Sequence, residues 1–192
     1  MHTGRLEAFS DGVIAVIITI MVLELHAPHG SDLSALRPLL PLFGTYALSF
    51  VMLGIYWNNH HHLLQAARVV NGGVLWANLH LLFWLSLFPF ATAWMGGNHF
   101  DSLPTAAYGV VLLLAAVAYY VLQSAIVRAQ GPDSVLPAAF GRDLKGKISP
   151  VFYAIAIPSA FLHRWIAVAL YIAVALMWLI PDRRLEPRIG EA

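Results

Sequence analysis

The sequence predicts an all-α integral membrane protein of six transmembrane helices with both termini in the cytoplasm. Three observations carry this expectation. Of the 192 residues, 59% are hydrophobic and only 11% are charged, where soluble domains carry about 25% charged residues; the mean hydropathy is +0.71. The apolar residues fall into six runs that reach, or approach, the roughly 20 helical residues needed to cross a hydrocarbon core. Finally, Lys and Arg are spread unevenly over the segments between those runs, and such residues accumulate on the cytoplasmic side of a membrane.

The first span covers about residues 9–25. It opens with Phe9-Ser10-Asp11-Gly12, runs apolar from Val13 to Leu23 except for Thr19, and closes on Glu24. A carboxylate at the edge of such a segment needs a protein or water environment. The run lacks a small-residue cleavage site and reads as a mature span, not a signal peptide. The second span is 41–57, with Pro41 suited to a helix start. The third is 74–95, with Pro89 as a kink. The fourth, 104–127, is the longest. The fifth, 148–162, is short and contains Pro158. The sixth, 165–180, follows after only His163 and Arg164, so the last two form a tight hairpin or one broken, re-entrant element.

With the N-terminus inside, six spans place Arg5, Arg68, Arg128, Arg142, Lys145, Lys147, Arg183, Arg184 and Arg188 in the cytoplasm. Only Arg37 and Arg164 fall outside. Nine against two is a strong orientation signal, and it favours an even number of spans. The whole chain, 1–192, reads as a single domain. Its longest inner loop, Gln130 to Lys147, is rich in Gly, Pro and charge and is the segment expected to be mobile. No inverted repeat of the transporter kind is visible.

Composition also excludes chemistry. The absence of cysteine removes disulfides, thiolate nucleophiles and Cys-based metal sites. A net charge of +1 gives no general attraction to nucleic acid. The motifs H-E-x-x-H and G-x-S-x-G, a Walker loop and paired intramembrane carboxylates are all missing, so an enzyme is not expected. His60, His61 and His62 are consecutive, about 100° apart on a helix. A shared metal site wants i, i+4 spacing, so neither a metal nor a cofactor is expected. A T-V-G-Y-G loop is absent too, so any ion selectivity must come from side chains.

On a helix advancing about 100° per residue, Gly12, Val16, Thr19, Ile20 and Leu23 share one face. Ser10 and Asp11 point away from it. One reading is a core helix with a satisfied Asp. The other has the stripe line an oligomeric axis while Asp11 ties the helix into its own bundle. Under rotational symmetry Val16 would form an apolar ring able to gate by dewetting, and Thr19 a hydroxyl ring able to replace part of an ion's hydration shell. Asn58, Asn59, His60, His61, His62, Asn78 and His80 are candidates to face Asp11, or each is ordinary hydrogen-bonding glue between helices. A histidine near a gate would confer pH sensitivity; a current indifferent to pH would remove that reading. Glu24 either concentrates cations at an outer mouth or is a solvated helix-end carboxylate. The tryptophans mostly sit near segment ends, as interface anchors do, whereas Trp84 is mid-span and suits a packed position.

Arg5, Phe9, Ser10, Asp11 and Gly12 fit the R-x-x-x-F-S-D-G signature of the lysosomal potassium channel family, and the chain resembles its six-helix bacterial branch. Tyr56 to His61 (YWNNHH), Asn78 and Pro89-Phe90-Ala91-Thr92 are similar to that family as well. The resemblance implies a homotetrameric, potassium-preferring cation channel of the bacterial inner membrane, with lipid and monovalent cations as its other partners. Its pore would be axial and lined by the first helices. Val16 would occupy the hydrophobic constriction, where the family more often has Ile or Leu, making a smaller plug here. Thr19 would form the hydroxyl layer one turn outward, and Ile20 and Leu23 would continue the narrow path. Arg5, Ser10 and Asp11 would join a polar network with later helices, completed from among His60, His61, Asn78 and His80. The alternative is a proton-coupled transporter using Asp11 and the histidines as a relay. A membrane enzyme with a convergent His/Asp pocket is a third.

Overall fold

A computed structural model describes residues 3–131 and 144–179 of the chain. Among these the architecture is helical without strands: α1 (Thr3–Leu23), a 3-10 turn (Leu33–Leu39), α2 (Leu40–Gln65), α3 (Gly72–Ser86), α4 (Phe88–Gly97), α5 (Ser102–Gln130), α6 (Leu144–Leu162) and α7 (Arg164–Leu179). Four stretches, 3–23, 33–65, 72–97 and 102–130, are long and apolar enough to cross a membrane, and α7 is a shorter apolar helix.

Several boundaries differ from the hydropathy reading for physical reasons. α1 begins at Thr3, so Arg5 and the following signature lie inside the helix. α2 continues to Gln65 instead of stopping near residue 57. Asn58 to His62 lower the hydropathy, but they remain helical, with His60 and His61 finding partners on α3 and α1. The third apolar run is divided at Leu87. Pro89 stands in the first turn of α4, where it cannot donate a backbone hydrogen bond to the preceding turn. α6 carries Pro150 and Pro158 and ends at Leu162, leaving His163 as the whole connection to α7. Most of the linker expected to be mobile, including Arg142, lies outside the described residues, as do Ile180 and the C-terminal arginines.

α5 is the central post. Leu112, Ala115, Ala118, Leu122 and Ile126 on it are each 0% exposed. It packs between α3 on one side and α6 on the other. Lipid is as apolar as a leucine side chain, so helices in a membrane associate through close contact at small residues. Gly109 shows why. A β-carbon there would collide with the Tyr171 hydroxyl, which reaches over α5 to donate to the Thr105 carbonyl at 3.0 Å. Gly96 plays the same part between α4 and α2, where a β-carbon would lie 2.6 Å from the Leu42 backbone. A buried hydroxyl cluster also joins α2, α4 and α5: Ser49 Oγ lies 2.7 Å from Thr92 Oγ1 and 2.9 Å from Tyr108 Oη.

α1 is peripheral. Leu6, Ser10, Ile14, Ile17 and Met21 are buried against α2, α3 and α4, at spacings of three and four residues that keep one face inward. The other side of the helix is uncovered.

Candidate pore helix and its polar anchors

The uncovered side of α1 contains the whole apolar stripe. Val16 is 55% exposed, Ile20 42% and Leu23 74%; Gly12 and Thr19 are exposed beside them. The open side is wider than the stripe, since Ala8, Phe9, Ala15 and Val22 are exposed as well. Thr19 Oγ1 donates to the Val16 carbonyl at 2.8 Å. Its proton is thus directed into the backbone and its lone pairs outward, a polarity suited to a cation. Glu24 follows the last turn, is exposed, and borders a shallow groove with Phe90 and Trp94.

Three sets of polar contacts fix the opposite side. The first is a buried chain across three helices. Ser10 Oγ donates to the Leu6 carbonyl at 2.8 Å, Asn78 Nδ2 donates to Ser10 Oγ at 2.9 Å, and His60 Nε2 lies 2.7 Å from Asn78 Oδ1. Ser10, His60 and Asn78 are all 0% exposed. The Leu6 carbonyl only accepts, which fixes the direction of every bond and places the imidazole proton on Nε2. Nδ1 of His60 is buried and has no hydrogen-bond partner among the described residues.

The second contact ties Asp11 to an indole: Trp57 Nε1 donates to Asp11 Oδ1 at 3.0 Å. The third pairs Glu7 with His61 Nδ1, while Gln65 Nε2 donates to His61 Nε2 at 2.8 Å. The imidazole therefore presents Nδ1–H to Glu7, and its ring stacks on Trp57 at 6.1 Å. Glu7 and Asp11 are four residues apart on α1, and Trp57 and His61 four apart on α2. The two pairs meet as one seam.

The expected polar network is thus divided. Ser10, His60 and Asn78 come together; Asp11 and His61 belong to the neighbouring seam. Arg5 is exposed and makes no polar contact among the described residues. His80 does not approach Asp11. It lies exposed on α3 and accepts from its own-helix neighbour Trp84 at 2.9 Å. His60 reaches Asn78 on α3 and His61 reaches Glu7 on α1, and no group of three metal-binding side chains occurs among the described residues. Glu7 and Trp57 are the partners that the sequence reading missed. The i, i+4 spacing of an acid pair on α1 and an aromatic–histidine pair on α2 was the available signal.

The model of the family described as endosomal/lysosomal potassium channel TMEM175 matches residues 5–89. A potassium channel of Chryseobacterium sp. (strain P1-3) is 53% identical over 191 residues, covering 100% of both chains. The chain belongs to the TMEM175 family. The crystal structure of a lysosomal potassium-selective channel TMEM175 homolog from Chamaesiphon minutus superposes with a TM-score of 0.80 at 25% identity, covering 93% of this chain and 96% of that one. The endosomal/lysosomal proton channel TMEM175 of Gallus gallus is 39% identical over 71 residues, which is 31% of this chain and 14% of that protein.

Membership in TMEM175 makes the chain a multi-pass membrane protein of an ion-channel family, not an enzyme. The segment matched by the TMEM175 model begins at Arg5 and ends at Pro89. It holds the uncovered stripe of α1 and every residue of the three anchors. The family is therefore recognised by α1 together with the parts of α2 and α3 that hold it.

Proposed function

We propose that this chain forms a passive, potassium-preferring cation channel of the bacterial inner membrane, as a homotetramer whose four α1 helices line an axial pore. Both termini lie in the cytoplasm, following the distribution of Lys and Arg. Val16 forms the apolar constriction, Thr19 a hydroxyl layer outward of it, and Ile20 and Leu23 the rest of the narrow path, with Glu24 at the outer mouth. Glu7, Ser10 and Asp11 hold the inner end of that helix in place.

The observation that carries this reading is the uncovered stripe on a helix whose other face is fixed by three polar anchors. Lipid contact alone would require no hydroxyl on that face and no specified rotation of α1. The outward lone pairs of Thr19 and the names of the bacterial relatives support the same conclusion. A proton pathway through Asp11 is the second reading, favoured by the name of the Gallus gallus relative. The geometry supports it less. Asp11 is bonded to an indole, and His60 is bonded to an amide, so no carboxylate-to-histidine relay passes through Asp11.

The absence of native cysteine makes the test clean. Val16→Cys should form oxidised dimers between copies in the membrane. Potassium efflux from liposomes should rise for Val16→Asn, because a polar ring wets where an apolar one does not. Thr19→Ala should erode the preference for K⁺ over Na⁺. Absent cross-links and unaltered permeation in both variants would refute the axial placement of α1.

A further inference from the structure

A groove of about 470 Å³ runs between α3 and α5, with no residue of α1 in its walls. Small residues, Gly73 and Ala77 on α3 with Ser124 and Ala125 on α5, line it together with the exposed rings of Trp76 and Tyr120. Trp76 is 75% exposed, more than any other tryptophan among the described residues. Arg128 closes one end of the lining. The loop before α3 is pinned to that end of α5, because Arg68 N donates to Gln130 Oε1 at 2.9 Å and Gln130 Nε2 to the Val69 carbonyl at 3.1 Å. The start of α3 and Arg128 therefore stand at the same end of the bundle, the one that the Lys and Arg distribution assigns to the cytoplasmic leaflet.

The polar groups of this lining are donors. Arg128 is exposed, makes no ion pair among the described residues, and no carboxylate lines the groove. Arg68, also exposed, adds charge at the same end. One turn deeper along α5, about 6 Å away at 1.5 Å per residue, stands Ser124. Ser10, Ser149 and Ser159 each donate to the carbonyl four residues back, as hydroxyls inside helices commonly do. The Ser124 hydroxyl makes no such bond among the described residues. His80 accepts from Trp84 on Nε2, which leaves Nδ1–H to donate. The occupant must therefore offer acceptors and negative charge at the inner end and hydrocarbon deeper in.

A second copy of the chain meets this demand poorly. Of the described carboxylates at the inner end of α1, Glu7 is held by His61 and Asp11 by Trp57, while Glu24, Asp32 and Asp101 belong to the opposite end. A zwitterionic lipid would bring a cation against Arg128 and Arg68, where no carboxylate receives it. We propose that the groove holds an anionic glycerophospholipid of the inner leaflet. Its phosphodiester sits on Arg128, its glycerol esters accept from Ser124 and the Trp76 indole, and its chains run over Ala77, Tyr120 and Val121. Indoles at the headgroup level are common in membrane proteins; the unpaired arginine at the end of an apolar groove makes this one selective.

The test places the full chain in nanodiscs of phosphatidylcholine and phosphatidylglycerol, with one lipid at a time brominated on its chains near the glycerol. Bromine quenches indole fluorescence at short range, and subtracting the emission of Trp76→Phe isolates Trp76. Brominated phosphatidylglycerol should half-quench Trp76 at about fivefold lower mole fraction than brominated phosphatidylcholine, the effect of one basic side chain at the surface. Arg128→Gln should erase that preference and Arg128→Lys should keep most of it. In the unsubstituted chain the preference should fade between about 0.1 M and 1 M salt, which decides the matter if Arg128→Gln fails to fold. Equal quenching by the two lipids overturns the site, as does a preference that survives Arg128→Gln or is indifferent to salt. Absence of quenching by either lipid shows the groove covered by protein and overturns it too. Relief of the quench by soluble glycerol phosphate overturns the lipid as the source of the phosphate. Binding is read without ion flux, so its failure leaves the pore proposal standing.

Discussion

Replacing Asn78 by Leu removes the middle of the buried chain from α1 to α2 and leaves its ends in very different states. Ser10 keeps its donation to the Leu6 carbonyl and loses only an incoming bond. His60, 0% exposed, is left with a stranded Nε2–H as well as its already unpartnered Nδ1. A buried donor without a partner costs about 1–3 kcal/mol. Interhelical hydrogen bonds in membranes couple by roughly 0.6 kcal/mol on average and up to about 1.7. The expected loss for Asn78→Leu is therefore about 2 kcal/mol, mostly the stranded imidazole. His60→Leu in the same background removes the stranded group, so the double variant should be more stable than the sum of the singles by about 1 kcal/mol. Unfolding in mixed micelles by increasing anionic detergent, followed by far-ultraviolet circular dichroism, measures each corner of the cycle. Additivity within about 0.3 kcal/mol would refute the chain as an energetic unit.

The remaining expectations are smaller in scope. Glu7→Gln disturbs a hydrogen-bonded pair whose side chains are 22% and 34% exposed, so it should cost under about 1 kcal/mol by the same unfolding assay. Gly109→Ala places a methyl group against the Tyr171 hydroxyl and should cost about 1–3 kcal/mol. Tyr171→Phe removes the oxygen it strikes, so the double variant should recover part of that loss; no recovery would show that the collision is elsewhere.

The lipid-crossing class and the face of α1 were legible in the sequence because both are properties of composition and helical period alone. Val16, Thr19, Ile20 and Leu23 share a face at about 3.6 residues per turn whatever surrounds them, and the structure leaves that face uncovered. The end of α2 was not legible, since hydropathy reads Asn58 to His62 as a departure from the membrane. What keeps them helical is partners on α1 and α3, which hydropathy does not register. The partner of Asp11 was missed for a related reason. A carboxylate suggests a histidine or amide, whereas the donor is an indole N–H carried by a side chain that counts as aromatic. His80 was misplaced because its partner, Trp84, is one turn away on its own helix.

The anchors are unevenly distributed along α1, and this bears on the gate. The three sets that tie it to α2 and α3 fall on Glu7, Ser10 and Asp11, all in its first half. Beyond Asp11 the buried positions are Ile14, Ile17 and Met21, held by apolar packing, which is non-directional, and by a weak contact of the Thr92 hydroxyl with the Met21 sulfur at 3.8 Å. Hydrogen bonds fix the rotation of a helix about its axis, and apolar contacts tolerate small changes in it. Val16 stands five residues past the last anchor, about 500° of helical turn at roughly 100° per residue, where rotation set at the inner end determines which side chain meets the axis. Trp57→Phe removes the indole donor to Asp11 and keeps an aromatic ring. Trp57 is 45% exposed, so the expected loss of stability is under about 1 kcal/mol, the net value of one hydrogen bond. Conduction should nonetheless change, measured as liposome potassium efflux normalised to the amount of folded protein. Adding Val16→Ala should remove most of the difference between Trp57→Phe and the unsubstituted chain, because both act through the same ring. Equal sensitivity to Trp57→Phe with and without Val16→Ala would separate the anchor from the gate.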